Sequence, residues 1–187
     1  MSIETVIREW DRPDAPLHPT IGTDAYWTSA VTWGHVGWLK EHFPPPATLL
    51  DFGCGDGRVL CHLLDAGYQA EGYDTCSASL DRLLAHRPDA VVHRTLPKKK
   101  YDLVIMLAVL IHYDHVDGMT VAKQAWDMVK SGGVLWAGVS YGDEVRAGEL
   151  GNNIWPVGSI VLPDAEILIE SRYPSEDQVF RKRGRRR

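Results

Sequence analysis

The chain has 187 residues, 44% of them hydrophobic and 24% charged, with a net charge of −5. That length and balance fit one globular domain with a sizeable core. The longest apolar run, Leu103–Ile111, falls far short of the roughly 20 residues that span a bilayer, which excludes a membrane-spanning helix.

The amino-terminal stretch MSIETVIREW carries acids and lacks an apolar signal core, so it does not read as a secretory signal. Residues 1–46 are expected to form a helical cap. Its one helix, Asp24–Phe43, is closed by the prolines Pro44–Pro46, which cannot continue it. Trp27, Trp33 and Trp38 lie on this helix. Trp27 and Trp38 are close to three turns apart and share a face. That face serves either as an aromatic lid over an apolar acceptor or as packing against a sheet.

From Thr48 the pattern alternates. TLLDF predicts a buried strand, and RVLCHLLDAG a helix with Val59, Leu60, Leu63 and Leu64 at helical spacing. YQAEGYD predicts a second strand that ends at Asp74. SASLDRLLAHR predicts a second helix, with Ser77 as its cap. AVVH predicts a short third strand. YDLVIML is apolar throughout, as suits a central parallel strand covered on both faces. VDGMTVAKQAWDMVK predicts a helix ending at SGG, and GVLWAGV the next strand. AEILIESRY and QVFRKR, separated by PSED, predict an antiparallel hairpin at one sheet edge. Alternating strands and helices imply right-handed crossovers and a doubly wound, mostly parallel α/β sheet. The domain plan is thus a cap over 1–46, a core over 47–183 and a basic tail over 184–187.

Six of the 20 Lys and Arg residues fall in the last seven positions, RKRGRRR. The preceding 180 residues hold 14 against 25 acids, a net charge of −11. Such a tail either touches phosphates or is a solvated terminus. Nucleic acid is a possible partner through it, though not the favoured one. The cysteines are three, Cys54, Cys61 and Cys76. This odd, sparse count fits reduced thiols and a cytoplasmic setting.

The segment LLDFGCGDGRVL places Gly53, Gly55 and Gly57 at alternate positions where the first strand hands over to the first helix. In open α/β sheets, ligands bind outside the carboxyl ends of the strands. Glycines there permit a sharp turn and close approach of backbone to ligand, and the helix start offers free N–H groups. Asp74 stands 21 residues after Gly53, at the end of the second strand. An acid at that place can accept hydrogen bonds from both hydroxyls of a ribose. A nucleoside-containing cofactor follows. The nicotinamide fingerprint G-x-G-x-x-G fails, because Arg58 stands where its third glycine would be.

The spacing D-F-G-C-G-D-G instead resembles motif I of the class I, Rossmann-like S-adenosylmethionine-dependent methyltransferases. EGYDTCSASL is similar to that family's second-strand motif, KKYDLVIMLAVLIHYDH to its fourth-strand motif, and MVKSGGVLWAGV to the segment entering its fifth strand. The likeness covers roughly residues 47–183. It implies a seven-stranded sheet of order 3-2-1-4-5-7-6 with strand 7 antiparallel. It implies S-adenosyl-L-methionine as cofactor, held by Asp51, Phe52, Gly53, Cys54, Gly55, Gly57, Asp74, Thr75, Leu96 and Leu107. One departure is visible. The acid that the family often carries after the third strand is missing from VVHRTLPKKKYD. Backbone groups near His93–Leu96 are then expected to hold adenine.

Methyl transfer asks the protein to align a nucleophile and exclude water. A base helps where the nucleophile carries a proton. His112, in IHYDH after the fourth strand, is the first choice for that base; the alternative is a structural histidine. His112 and His115 show no convergent third ligand, so no metal is expected. Asp114 is expected to cap the next helix, Cys54 to fill space, and Arg58 to face solvent rather than clamp a carboxylate. The fourth strand lacks N/D-P-P-Y/F, and no Pro-Cys pair occurs. A small-molecule acceptor is therefore expected, ahead of a protein or nucleic acid. A cofactor-binding partner or regulatory module without transferase activity is the rival class.

Overall fold

In the computed structural model, residues 39–138, 141–142, 146–147, 153–156, 158–170 and 177–184 are described. The expected helix Asp24–Phe43 falls within them only as a helical turn over 39–42. Trp27, Trp33, Trp38 and tail residues 185–187 lie outside the described residues.

Ten strands and three helices follow. They are β1 (Thr48–Phe52), α1 (Arg58–Asp65), β2 (Gln69–Tyr73), α2 (Ser77–His86), β3 (Val92–His93) and β4 (Tyr101–Leu107). After β4 come a short 3-10 turn (Leu110–His112), α3 (His115–Asp127) and β5 (Val129–Gly138). The remaining strands are β6 (Tyr141–Gly142), β7 (Arg146–Ala147), β8 (Asn153–Pro156), β9 (Ala165–Glu170) and β10 (Asp177–Lys182). Seven of them form one sheet of order β3-β2-β1-β4-β5-β10-β9, the expected 3-2-1-4-5-7-6. β10 runs antiparallel to both β5 and β9.

The described residues divide into two compact units, one up to Pro97 and one from Lys98. In the first, β1 pairs in parallel with β2, and β2 with β3. Its core is the apolar faces of β1, α1 and α2: Leu49, Leu50, Leu60, Leu63, Leu80 and Leu83 are all fully buried. Burial of a leucine side chain contributes about 1.5–3 kcal/mol, so this cluster is the main source of the unit's stability. In the second unit, β4 pairs in parallel with β5. The run Leu103–Met106 is buried throughout, as its unbroken apolarity predicts, and Trp126, Leu135 and Phe180 join it.

Three sequence expectations are corrected. The cap of α2 is Cys76, not Ser77: the Cys76 sulfur accepts the Ser79 N–H at 3.4 Å, and Ser77 already lies inside the helix. α3 ends at Asp127 rather than at SGG, and the glycines belong to β5. Tyr101 pairs with Val129 but Leu103 with Val134, so Lys130–Gly133 bulge out of the ladder, with Gly132 at φ +81° supplying the bend. β2 stops at Tyr73, which leaves Asp74 just beyond the strand and free to turn its carboxylate onto backbone N–H groups.

A small three-stranded sheet, order β6-β8-β7, was not foreseen. β8 delivers Trp155, fully buried, onto α3. Gly118 makes room for it, since a Cβ there would collide with the indole ring. The His115 ring lies 5.1 Å from that of Trp155.

Candidate active site

Backbone hydrogen bonds set the course of the turn after β1. Gly53 N–H and Cys54 N–H both donate to the Tyr73 carbonyl, at 2.7 and 3.0 Å, and Gly57 N–H donates to the Cys54 carbonyl at 2.9 Å. The ring of Phe52 meets that of Tyr73 edge-on at 4.9 Å, closing the strand ends over the core.

The outer two glycines of the GDG triplet serve different purposes. Gly57, at φ +82°, packs so tightly on α2 that a Cβ would strike Leu83. It is needed for fold packing. Gly55, at φ +52°, has nothing within 4 Å of a Cβ position. The space beside it is open to a ligand.

Asp74 ties this loop down. Its Oδ2 accepts the Gly55 N–H and its Oδ1 the Cys76 N–H, each at 2.8 Å. The Thr75 N–H is a third backbone partner, and a carboxylate offers about four lone-pair sites, so acceptor capacity remains for another donor. Burial raises the Asp74 pKa, and the backbone N–H groups of Cys76, Gly55 and Thr75 oppose that rise. Asp51, on β1, is 3% exposed and is pushed up to about 7, first by burial and then by the charge of Asp74. Its Oδ2 is buried without a hydrogen-bond partner. The charge of Arg58, the first residue of α1, acts in the opposite direction on Asp51.

Cys54 fills space, as expected. Its sulfur and Cβ occupy the room that a side chain at Gly72 would need. Burial, with the charges of Asp51 and Asp74 behind it, pushes its thiol well above the ordinary range, so it is no nucleophile. Thr75 and Leu96 are half-buried. His93 pairs with Glu71 at 2.8 Å.

In the second unit, Leu107 is the half-buried last residue of β4. Ala108 follows at φ +56°, its N–H bonded to the Gly138 carbonyl at 3.1 Å. The 3-10 turn then brings His112 to a half-buried position. Burial lowers its pKa, which keeps the imidazole neutral near pH 7 and able to accept a proton. Asp114 caps α3 as expected, its Oδ1 accepting the N–H groups of Val116 and Asp117 at 3.1 and 3.0 Å. Among the described residues, no three His, Cys, Asp or Glu side chains converge on a metal position, and no helix is long and apolar enough to cross a membrane.

Sequence reasoning passed over Asp56 and its partner Arg82, because an acid between two glycines gives no sign of a partner 26 positions away. It also passed over Trp155, Ser159 and Gln178, which belong to no motif.

A methyltransferase-domain family model matches residues 37–154. A curated relative, dTDP-3-amino-3,6-dideoxy-alpha-D-glucopyranose N,N-dimethyltransferase of Streptomyces fradiae, is 38% identical over 55 residues, which are 29% of this chain and 22% of that enzyme. The match thus spans only about a fifth of the relative's length. The structure of 1,6-didemethyltoxoflavin-N1-methyltransferase of Burkholderia thailandensis, solved with S-adenosylhomocysteine, aligns with TM-score 0.69 at 17% identity, covering 86% of this chain and 81% of that one. A sugar N-methyltransferase of Streptoalloteichus sp. aligns with TM-score 0.65 at 15% identity over 83% and 87%. Magnesium protoporphyrin IX methyltransferase of Synechocystis, solved with S-adenosylmethionine, gives TM-score 0.65 at 18% identity over 95% and 91%. With most of its length inside one domain model and its strands in this order, the chain belongs to the class I S-adenosylmethionine-dependent methyltransferases.

Proposed function

We propose that this protein transfers the methyl group of S-adenosylmethionine to a small-molecule acceptor. The observation that carries the reading is the loop held by Asp74, with open space beside Gly55 and acceptor capacity left on the carboxylate. Both features suit a nucleoside ligand. The orphaned Oδ2 of Asp51 suits the ammonium of the cofactor's methionine end. In this reading Gly53 and Gly55 present backbone to the cofactor, Asp74 receives its ribose hydroxyls, and Thr75, Phe52 and Cys54 shape the wall. The backbone around His93–Leu96 meets adenine, and Leu107 borders the cofactor from β4. When bound, the cofactor supplies a sulfonium-activated methyl group. His112, neutral near pH 7, takes the proton that the acceptor releases. A small acceptor is favoured by the named activities of the relatives, which include a sugar nucleotide and a heterocycle.

Calorimetric titration with S-adenosylhomocysteine tests this. Two hydrogen bonds to a charged group are each worth about 1.5–3 kcal/mol. Asp74→Ala should therefore bind about a hundredfold more weakly or worse, with Asp74→Asn in between. A loss under about threefold in a folded Asp74→Ala protein removes the ribose role.

A further inference from the structure

Asp56 is the central residue of the Gly55–Gly57 triplet, and its side chain is 3% exposed. Its Oδ1 receives both Nε and Nη2 of Arg82 at 2.9 Å, and Arg82 Nη2 also donates to Ser79 Oγ at 2.9 Å. Arg82 is 31% exposed. Other arginine pairs among the described residues of this unit, Arg87 with Asp65 and Asp89, and Arg94 with Asp81, have carboxylates at the surface. Surface pairs contribute little, whereas a buried carboxylate stripped of its cation is strongly unfavourable. The Asp56–Arg82 pair is therefore of a different kind from its neighbours.

Its placement says what it holds. Consecutive residues of α2, Arg82 and Leu83, seat consecutive residues of the loop, Asp56 and Gly57. One residue earlier, Gly55 is tied to Asp74. A segment with three glycines in five residues has wide conformational freedom, and ordering it on ligand binding would weaken affinity. In the reading above, Asp74 is shared with the cofactor, and the Leu83 contact is apolar and without direction. The guanidinium is directional and charged. We infer that the Asp56–Arg82 pair is a positioning device that holds the glycine loop in its cofactor-receiving shape, with α2 as its template. The inference rests on the proposed function and adds two positioning residues to it.

The test measures hydrogen exchange at the Gly55 and Gly57 amides by NMR, without ligand, and S-adenosylhomocysteine affinity by calorimetry. In Arg82→Leu, both loop amides should exchange at least tenfold faster while Leu50 and Val104 keep their rates, and affinity should fall at least tenfold. Arg82→Lys, which restores the charge but not the two-nitrogen grip, should fall between. The double variant Asp56→Asn/Arg82→Leu leaves no lone buried charge, so it stays folded if the single variant does not. It should show the same faster loop exchange. Wild-type loop exchange in a folded variant overturns the inference. So does faster exchange with unchanged affinity. If the wild-type protein itself fails to bind S-adenosylhomocysteine, the proposed function falls and the inference with it; if it binds, only the inference is at stake.

Discussion

The loop after β1 and the region around β8 and β10 treat buried polar groups in opposite ways. In the first, Asp56 is paired with Arg82 and Asp74 accepts the backbone N–H groups of Gly55, Thr75 and Cys76, so that Asp51 Oδ2 stands out as an exception. In the second, the Trp155 indole nitrogen, the Ser159 hydroxyl and both amide atoms of Gln178 are buried without partners. A loop that presents one fixed shape to a cofactor, as the proposed function has it, benefits from closed hydrogen bonding. Orphaned polar atoms elsewhere weaken the fold, and each calls for an explanation.

The largest effect that could break this contrast concerns Asp51. Between about pH 4 and 7, the folded chain keeps a proton on Asp51 that the unfolded chain releases. Wild-type stability therefore falls over that window as pH rises, and levels off above it. Asp51→Asn escapes this. Urea unfolding should show it more stable than wild type by about 4 kcal/mol at pH 8, at roughly 1.4 kcal/mol per pKa unit, and no more stable near pH 4. Its affinity for S-adenosylhomocysteine should fall. A pH-independent difference would mean that Asp51 is not the buried acid described here.

The next effect separates the two glycines. Gly57→Ala meets both the left-handed backbone, at about 1–2 kcal/mol, and the Leu83 side chain, at about 1–3 kcal/mol. It should unfold about 2–5 kcal/mol more easily. Gly55→Ala faces only the backbone term, about 1–2 kcal/mol, yet should lose more cofactor affinity. Equal losses of stability in both variants would erase the distinction between a packing glycine and a ligand-facing one.

The smallest effect probes the other region. Gln178, 1% exposed, sits on β10 opposite Ala137 of β5. Gln178→Met keeps the length and removes the unpaired amide, and should raise stability by about 1–2 kcal/mol in the same unfolding assay. A loss of more than 1 kcal/mol would show that the amide is engaged in the native protein.

What the sequence disclosed follows the same divide. The glycine loop, Asp74 and the strands themselves were legible because they depend on local spacing: glycines where the backbone turns, an acid after a strand, apolar runs of strand length; the strand order was legible through the resemblance to the methyltransferase family. Asp114 as a cap was legible for the same reason. Cys76 in place of Ser77 was not, because choosing between adjacent residues turns on a difference in backbone angle that composition does not carry. The Lys130–Gly133 bulge needed the register of β4 against β5. Arg82 meets Asp56 across 26 positions of sequence, and Trp155 meets Gly118 across 37. No periodicity announces such contacts; they exist only once the helices are packed.

All three cysteines of the chain are buried, and all lie between Cys54 and Cys76 in the first unit, with none after Pro97. Alkylation must wait until each thiol is exposed, so labelling is a clock for opening. Cys76 would report the fraying of the α2 start that it caps, Cys54 the loop itself, and Cys61 the inner side of α1. Three labelling rates, separated by peptide mapping, would rank the lifetimes of these neighbouring pieces without adding a single probe to the protein.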